Sequence, residues 1–166
     1  DPRHGFFAEY FKDPEATAAA WADGWFHTGD IVRQEADGAV FFQDRKKNVI
    51  RRSGENIAAV EVESALLRHP RIASVAVTAV PDAVRGDEVF ALIVPEGAAD
   101  TTLAEEITRW CLTQLAYYKA PGFIAFADSL PLTATQKIQR AEVKSRAAAL
   151  LESAHDMRHL KKRTAA

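Results

Sequence analysis

IASVAVTAVPDAVRGDEVFALIV, residues 72–94, is the stretch that decides the fold. Two runs rich in Val, Ile and Phe, Ile72 to Val80 and Glu88 to Val94, have the β-branched and aromatic composition of strands. The Pro81 to Asp87 segment between them carries the Pro, Gly and Asp of a turn region. Upstream, a helix is predicted from about Ala59 to Arg68 and halted by His69-Pro70, because a residue preceding proline disfavours helical backbone. Ahead of it, Val49 to Arg52 and the turn Ser53-Gly54-Glu55-Asn56 predict a small hairpin. Downstream, Thr102-Leu103-Ala104-Glu105 predicts a capping box, and Leu103, Ile107, Trp110, Cys111 and Leu115 recur on one helical face. A third strand is expected at Phe123 to Ala127, and a last helix from about Arg140 to Ser153 with Val143, Ala147, Leu150 and Leu151 as its apolar stripe. The basic tail that follows, His155 to Arg163, reads as a frayed, solvated terminus. The alternation is that of an α+β domain, and about 100 residues from Lys47 onward are enough to fold independently.

The first third has a different character. Asp13 and Pro14 predict a helix start, Glu15 to Trp21 continues it, and Gly24 is expected to end it. Ile31 to Glu35 and Ala39 to Gln43 are short strands around the turn pair Asp37-Gly38, which gives an antiparallel ribbon. Trp25, Phe26, Phe41 and Phe42, together with Phe6, Phe7, Tyr10 and Phe11, are more aromatic surface than such a ribbon can hide. The charge cluster Asp44-Arg45-Lys46-Lys47 marks the boundary. The expected organisation is therefore 1–45, a helix plus hairpin; 46–154, a compact domain; and 155–166, the basic tail.

Composition narrows the classes. With 21 Lys+Arg against 23 Asp+Glu and a formal net charge of -2, the chain offers no global attraction to nucleic acid. No apolar run approaches the roughly 18 to 20 residues of a membrane span, and the opening Asp1-Pro2-Arg3-His4-Gly5 is not a signal peptide, so the expected location is cytoplasmic. The single Cys111 excludes an internal disulfide, and on an apolar helix face it reads as a core residue. The His residues show no metal-ligand spacing, so no metal site is expected, and neither a nucleophile elbow nor a P-loop is present.

Three places can carry chemistry. Asp30, in Phe26-His27-Thr28-Gly29-Asp30, lies where a Gly turn meets a strand; a carboxylate there suits a vicinal diol such as a ribose, although the same residue also reads as a turn Asp capping its own backbone. Arg45 and Lys47 lie in the connector, either as a solvated cationic face or as part of a mobile junction. Lys137 lies in the polar loop Pro131-Leu132-Thr133-Ala134-Thr135-Gln136-Lys137-Ile138-Gln139-Arg140; it is either an ordinary surface lysine or an ammonium carried to two converging anions.

Read in order, three motifs resemble the C-terminal part of the AMP-forming acyl-CoA synthetases, of the adenylate-forming ligase superfamily. They are Gly24-Trp25-Phe26-His27-Thr28-Gly29-Asp30; Asp44-Arg45-Lys46-Lys47-Asn48-Val49-Ile50-Arg51-Arg52-Ser53-Gly54-Glu55-Asn56-Ile57 with Val60-Glu61-Val62-Glu63; and Leu130-Pro131-Leu132-Thr133-Ala134-Thr135-Gln136-Lys137-Ile138. The resemblance implies the mobile C-terminal domain of that family, a small three-stranded sheet with flanking helices, preceded by a β-hairpin remnant of a large N-terminal domain. It implies a ligase that converts a carboxylic or fatty acid, ATP with Mg2+, and CoA into acyl-CoA, AMP and pyrophosphate through an acyl-adenylate.

The resemblance also implies roles. Asp30 and Arg45 would bind the nucleotide at its ribose, Lys47 would be the hinge, and Lys137 would be the catalytic adenylation lysine. Ser53, Gly54 and Glu55 would form the CoA-side turn. One departure stands inside the third motif: Gln136 occupies the position where the family usually has glycine. The family's phosphate loop, magnesium-binding glutamate and acyl pocket precede the matched region. The chain alone is therefore expected to be inactive and to bind none of these ligands by itself, with the large N-terminal domain as its missing partner. Two alternatives remain open from sequence: a non-catalytic stand-alone module that binds nucleotide or CoA or docks on a protein, and a homodimer through residues 1–43.

Overall fold

The computed structural model describes residues 7–162, so that Asp1 to Gly5, Phe6 and the last residues of the basic tail lie outside the described residues. The chain divides into two compact units, one running to Lys47 and the other starting at Asn48.

In the first unit, α1 (Pro14–Ala20) starts as its sequence dictates. The Asp13 carboxylate accepts from the Ala16 N–H at 2.9 Å, and Pro14 occupies the first turn, where its missing N–H costs nothing. Gly24 does not end this helix. The helix stops at Ala20, and the chain folds a tight hairpin, β1 (Trp21–Ala22) with β2 (Trp25–Phe26). Asp23 and Gly24 form its turn, with φ of 54° and 78°. Two-residue strands are too short to show any periodicity, but their rings pack: Phe26 lies 5.2 Å from Trp21 and 5.3 Å from Phe7 between centroids. The expected ribbon follows as β3 (Asp30–Gln34) antiparallel to β4 (Val40–Arg45). Its loop is closed by Gly38 N–H to Glu35 O and Glu35 N–H to Ala39 O, both 2.9 Å, with Gly38 at φ 89°. A short 3-10 turn, Lys46–Asn48, leads out of it.

The second unit opens with the hairpin β5 (Ile50–Arg52) and β6 (Glu55–Ile57), then α2 (Ala59–Leu66). The two strands first read from residues 72–94 are β7 (Ile72–Asp82) and β8 (Gly86–Pro95), antiparallel along their whole length. After α3 (Thr101–Gln114), β9 (Phe123–Phe126) runs parallel to β8 on its other side. The mixed α+β fold is as expected, but the sheet has six strands rather than three. The β5–β6 hairpin joins β8 at Arg52–Gly86, and β10 (His155–Asp156) pairs with β9.

Strand β8 is central, and every residue from Glu88 to Ile93 is buried, because both faces of the sheet are covered. Val89, Ala91 and Ile93 pack with Val62, Leu66, Leu103 and Ile107 on the side of α2 and α3. Phe90 and Leu92 pack with Val80, Phe123 and Ala147 on the side of α4 (Arg140–Leu150). Burying side chains of this size stabilises by about 1.5–3 kcal/mol each, so β8 anchors the unit.

Two further expectations need correction. The capping box at Thr102 to Glu105 does not form; Asp100, two residues earlier, accepts from the Leu103 N–H at 2.9 Å and starts α3 itself. Over its described residues the basic tail is not frayed but continues the second unit past residue 154. His155 and Asp156 extend the sheet, the Met157 N–H donates to Gly122 O at 2.8 Å, and the Lys161 side chain is 1% exposed. A run of cations reads as solvated only when no carboxylate waits for it, and here the partner of Lys161 is Glu88.

Candidate functional site

The ribbon of the first unit brings Asp30 and Arg45 together. They are directly opposite cross-strand partners at the open end of β3 and β4, with Arg45 Nε 2.7 Å from Asp30 Oδ1. The turn before them is tightly tied. Gly29 takes φ 74°, the Asp30 N–H donates to Thr28 Oγ1 at 3.1 Å, Arg45 Nη1 donates to Thr28 O at 3.0 Å, and the Lys46 N–H donates to Gly29 O at 2.8 Å. Thr28, rather than Asp30, thus supplies the side-chain cap of this turn. The Asp30 side chain is about a quarter exposed (26%) and that of Arg45 about half (53%), so solvent reaches an acceptor and a donor set side by side. That pairing suits a neutral polyol, which must both give and receive hydrogen bonds. Lys47 is exposed within the 3-10 turn, and the division between the two units falls immediately after it.

In the second unit, Ser53 and Gly54 have φ of 51° and 87°, the two left-handed positions of the tight turn between β5 and β6. The Ser53 N–H donates to Arg85 O at 2.9 Å, and Ser53, Gly54 and Glu55 are all exposed. Directly beneath lies a group of charges that the sequence reading missed. Arg52 Nε donates to both carboxylate oxygens of Glu88 at 2.9 Å, Lys161 Nζ lies 2.5 Å from Oε1, and the Val89 N–H donates to the same oxygen at 2.9 Å. The Arg52, Glu88 and Lys161 side chains are 5%, 0% and 1% exposed. Burial pushes the Lys161 ammonium down to about 8, against the pull of the Glu88 charge. Gly122 is required beside them, since a Cβ there would sit 2.4 Å from Glu88 Cγ. The one sequence signal was a glutamate inside an otherwise apolar strand.

Lys137 sits exposed at the base of a tight loop. Leu132 and Ile138 form an antiparallel bridge, the Gln136 N–H donates to Thr133 O at 2.9 Å, and the Thr133 N–H donates to Lys137 O at 2.7 Å. This is the hydrogen-bond pattern already met at Glu35 to Ala39, with Gln136 at φ 62° in the place of Gly38. The residue standing where glycine is usual thus adopts the conformation glycine favours. Lys137 and the Ser53–Glu55 turn occupy separate loops. Cys111 is fully buried, and desolvation pushes its thiol up to about 12, as befits a core residue.

Residues 61–137, ending on Lys137, match the AMP-binding enzyme C-terminal domain family. Over those residues the chain is similar to an AMP-binding enzyme C-terminal domain. A crotonobetaine/carnitine–CoA ligase of Escherichia coli is 37% identical over 145 residues, which cover 86% of this chain and 28% of that enzyme. The o-succinylbenzoate CoA synthetase of Bacillus subtilis, solved with the acyl-adenylate OSB-AMP, superimposes with a TM-score of 0.74 at 34% identity, over 82% of this chain and 28% of its own. ATP-bound MatB from Rhodopseudomonas palustris gives a TM-score of 0.75 at 28% identity, over 86% of this chain and 28% of its own. The chain thus spans little more than a quarter of the length of these relatives. Among the described residues, no helix is long and apolar enough to cross a membrane.

Proposed function

We propose that this chain works as the mobile C-terminal part of an acyl-CoA synthetase, supplying the lysine that assists acyl-adenylate formation. In the first half-reaction a carboxylate oxygen of the acid attacks the α-phosphorus of ATP, the new P–O bond forms, and pyrophosphate departs. Two anionic groups must approach each other, and their repulsion adds to the barrier; an ammonium placed against both oxygens lowers it. Lys137 has the charge and the exposure for this. In the second half-reaction the CoA sulfur attacks the acyl carbon and AMP leaves, so the same ammonium must be withdrawn while a long thiol enters.

Separate loops for Lys137 and for Ser53–Glu55, on one unit that begins just after Lys47, support this division of labour. Asp30 and Arg45 are assigned to the ribose hydroxyls, Lys47 to the hinge, and Ser53, Gly54 and Glu55 to the CoA side. ATP enters with Mg2+; among the described residues no group of three or more His, Cys, Asp or Glu side chains is placed to hold a metal.

The observation that carries the reading is the family match ending on Lys137, an exposed residue directly after the glycine-like Gln136. The test is a hybrid in which this chain replaces the matching segment of the crotonobetaine/carnitine–CoA ligase. Thioester synthesis from crotonobetaine, ATP and CoA by the hybrid, with no acid-dependent ATP–pyrophosphate exchange by the 166-residue chain alone, is the expected pair of results. Efficient exchange by the chain alone would show that the chain adenylates unaided and overturn the reading, whereas a folded hybrid that binds ATP yet forms no thioester favours a non-catalytic binding or docking module.

A further inference from the structure

The Lys137 loop is held at two points by side chains outside the residues assigned above. The first is Thr133. Its hydroxyl oxygen accepts from the Lys137 N–H at 3.1 Å and lies 3.0 Å from Thr135 Oγ1, while its own N–H donates to Lys137 O. The main chain of Lys137 is therefore bound to a single residue through both its N–H and its C=O. The second point is three residues beyond the lysine. Arg140, the first residue of α4, sets its guanidinium against the Glu63 carboxylate of α2, with Nη1 on Oε1 and Nη2 on Oε2, the latter at 2.9 Å. Glu63 is 9% exposed in its side chain, and its Oε1 also accepts from the Val77 N–H of β7 at 2.7 Å. The forked pair thus ties the loop's exit to both a helix and a strand of the core, in a geometry that a lysine in place of Arg140 could not reproduce. Between the two points, the Gln139 N–H donates to Pro131 O at 2.9 Å and its side chain to Leu132 O at 2.7 Å.

We infer that Thr133 and the Glu63–Arg140 pair are positioning residues for Lys137: together they fix the course of the loop, so that the ammonium is presented already oriented. This rests on the role proposed for Lys137, and it adds residues that act only through that lysine. A flexible four-carbon side chain on a mobile loop would have to be ordered in the transition state, whereas a loop ordered beforehand confines that search to the side chain alone.

The loop can be read directly on the full 166-residue chain, by amide hydrogen exchange measured residue by residue. T133V, which keeps the shape and removes the acceptor, and E63Q/R140M, which leaves no lone buried charge, raise exchange at Gln136, Lys137 and Gln139 by about tenfold or more. The β8 amides keep their protection, and T133S keeps the loop's. In the hybrid ligase the same variants lower kcat for acyl-adenylate formation by about tenfold with KM for the acid unchanged. Conversion of supplied acyl-adenylate to thioester stays at its original rate, and T133S restores the first step. Unchanged loop exchange overturns the inference, and so does a loss of protection shared equally by β8, which marks mere destabilisation. A loosened loop with undiminished adenylation, in a hybrid that K137A cripples, overturns it as well. If K137A itself is silent, the role of Lys137 has failed, while the exchange result still decides whether these side chains hold the loop.

Discussion

Removing Glu88 from the second unit separates what a buried ion group contributes from what its members cost. Glu88 is fully buried and, among the described residues, is the carboxylate bonded to both Arg52 and Lys161, so Glu88→Ala strands two cations away from water. Arg52 cannot shed its charge, and breaking a buried pair in this way costs about 3–5 kcal/mol. Lys161→Met is the milder change, because Arg52 keeps both bonds to Glu88 and the Val89 N–H keeps its own. Its effect depends on pH in a direction the structure dictates. The Lys161 amine has a pKa of about 8 when folded against 10.5 ordinarily, so between those values the unfolded chain holds a proton that the folded chain has lost. Stability that depends on Lys161 is then fully present above the ordinary value and is lost as pH falls to the folded one, a span worth of order 3 kcal/mol. Urea unfolding followed by far-UV circular dichroism, on wild type and on K161M from about pH 7 to about pH 10, reads the difference. Wild type should gain on the variant as pH rises. Parallel curves, or a wild type that loses ground with rising pH, would refute the reasoning, as would a K161M that is as damaging as E88A at neutral pH.

Three further outcomes follow from backbone, packing and surface. The loops at Gly38 and Gln136 share one hydrogen-bond pattern, so Gly38→Ala should cost about 1–2 kcal/mol while Gln136→Gly should be neutral or gain up to about 1 kcal/mol, both read as shifts in urea midpoint. Gly122→Ala forces a Cβ against the Glu88 side chain and should cost about 1–3 kcal/mol by the same measurement; a midpoint within error of wild type would show that Glu88 can move aside. Tyr10, Phe11, Trp25, Phe41 and Phe42 are exposed on the first unit, and light scattering over a range of concentrations tests whether they pair two chains, with a concentration-independent monomer excluding that homodimer.

Much of the second unit was legible because its signals are local. The runs in β7 and β8, the apolar face of α3 and the stripe of α4 each lie within a dozen or so residues, and their burial follows directly from periodicity. What escaped reading depends on distance along the chain or on brevity. The two residues of β10 and those of β1 and β2 are too few to alternate. Lys161 joins the core only because Glu88, 73 residues earlier, receives it, and the partly exposed Arg140 is tied down by Glu63, 77 residues back. The candidate site divides in the same way. Asp30, Arg45 and Lys137 were singled out by their motifs, with Asp30 and Arg45 set on one ribose by the resemblance, but Thr133 and Arg140 looked like ordinary polar neighbours. The glycine-like backbone of Gln136 was hidden for the opposite reason: glutamine does not announce a positive φ, and the turn around it imposes one.

The role proposed for the Lys137 ammonium is to serve the first half-reaction and leave the second alone. In the hybrid ligase, K137A should reduce acid-dependent ATP–pyrophosphate exchange by on the order of 10²-fold or more, while thioester formation from supplied acyl-adenylate and CoA proceeds near its original rate. An equal loss in both steps, or no loss in the exchange, would contradict the account.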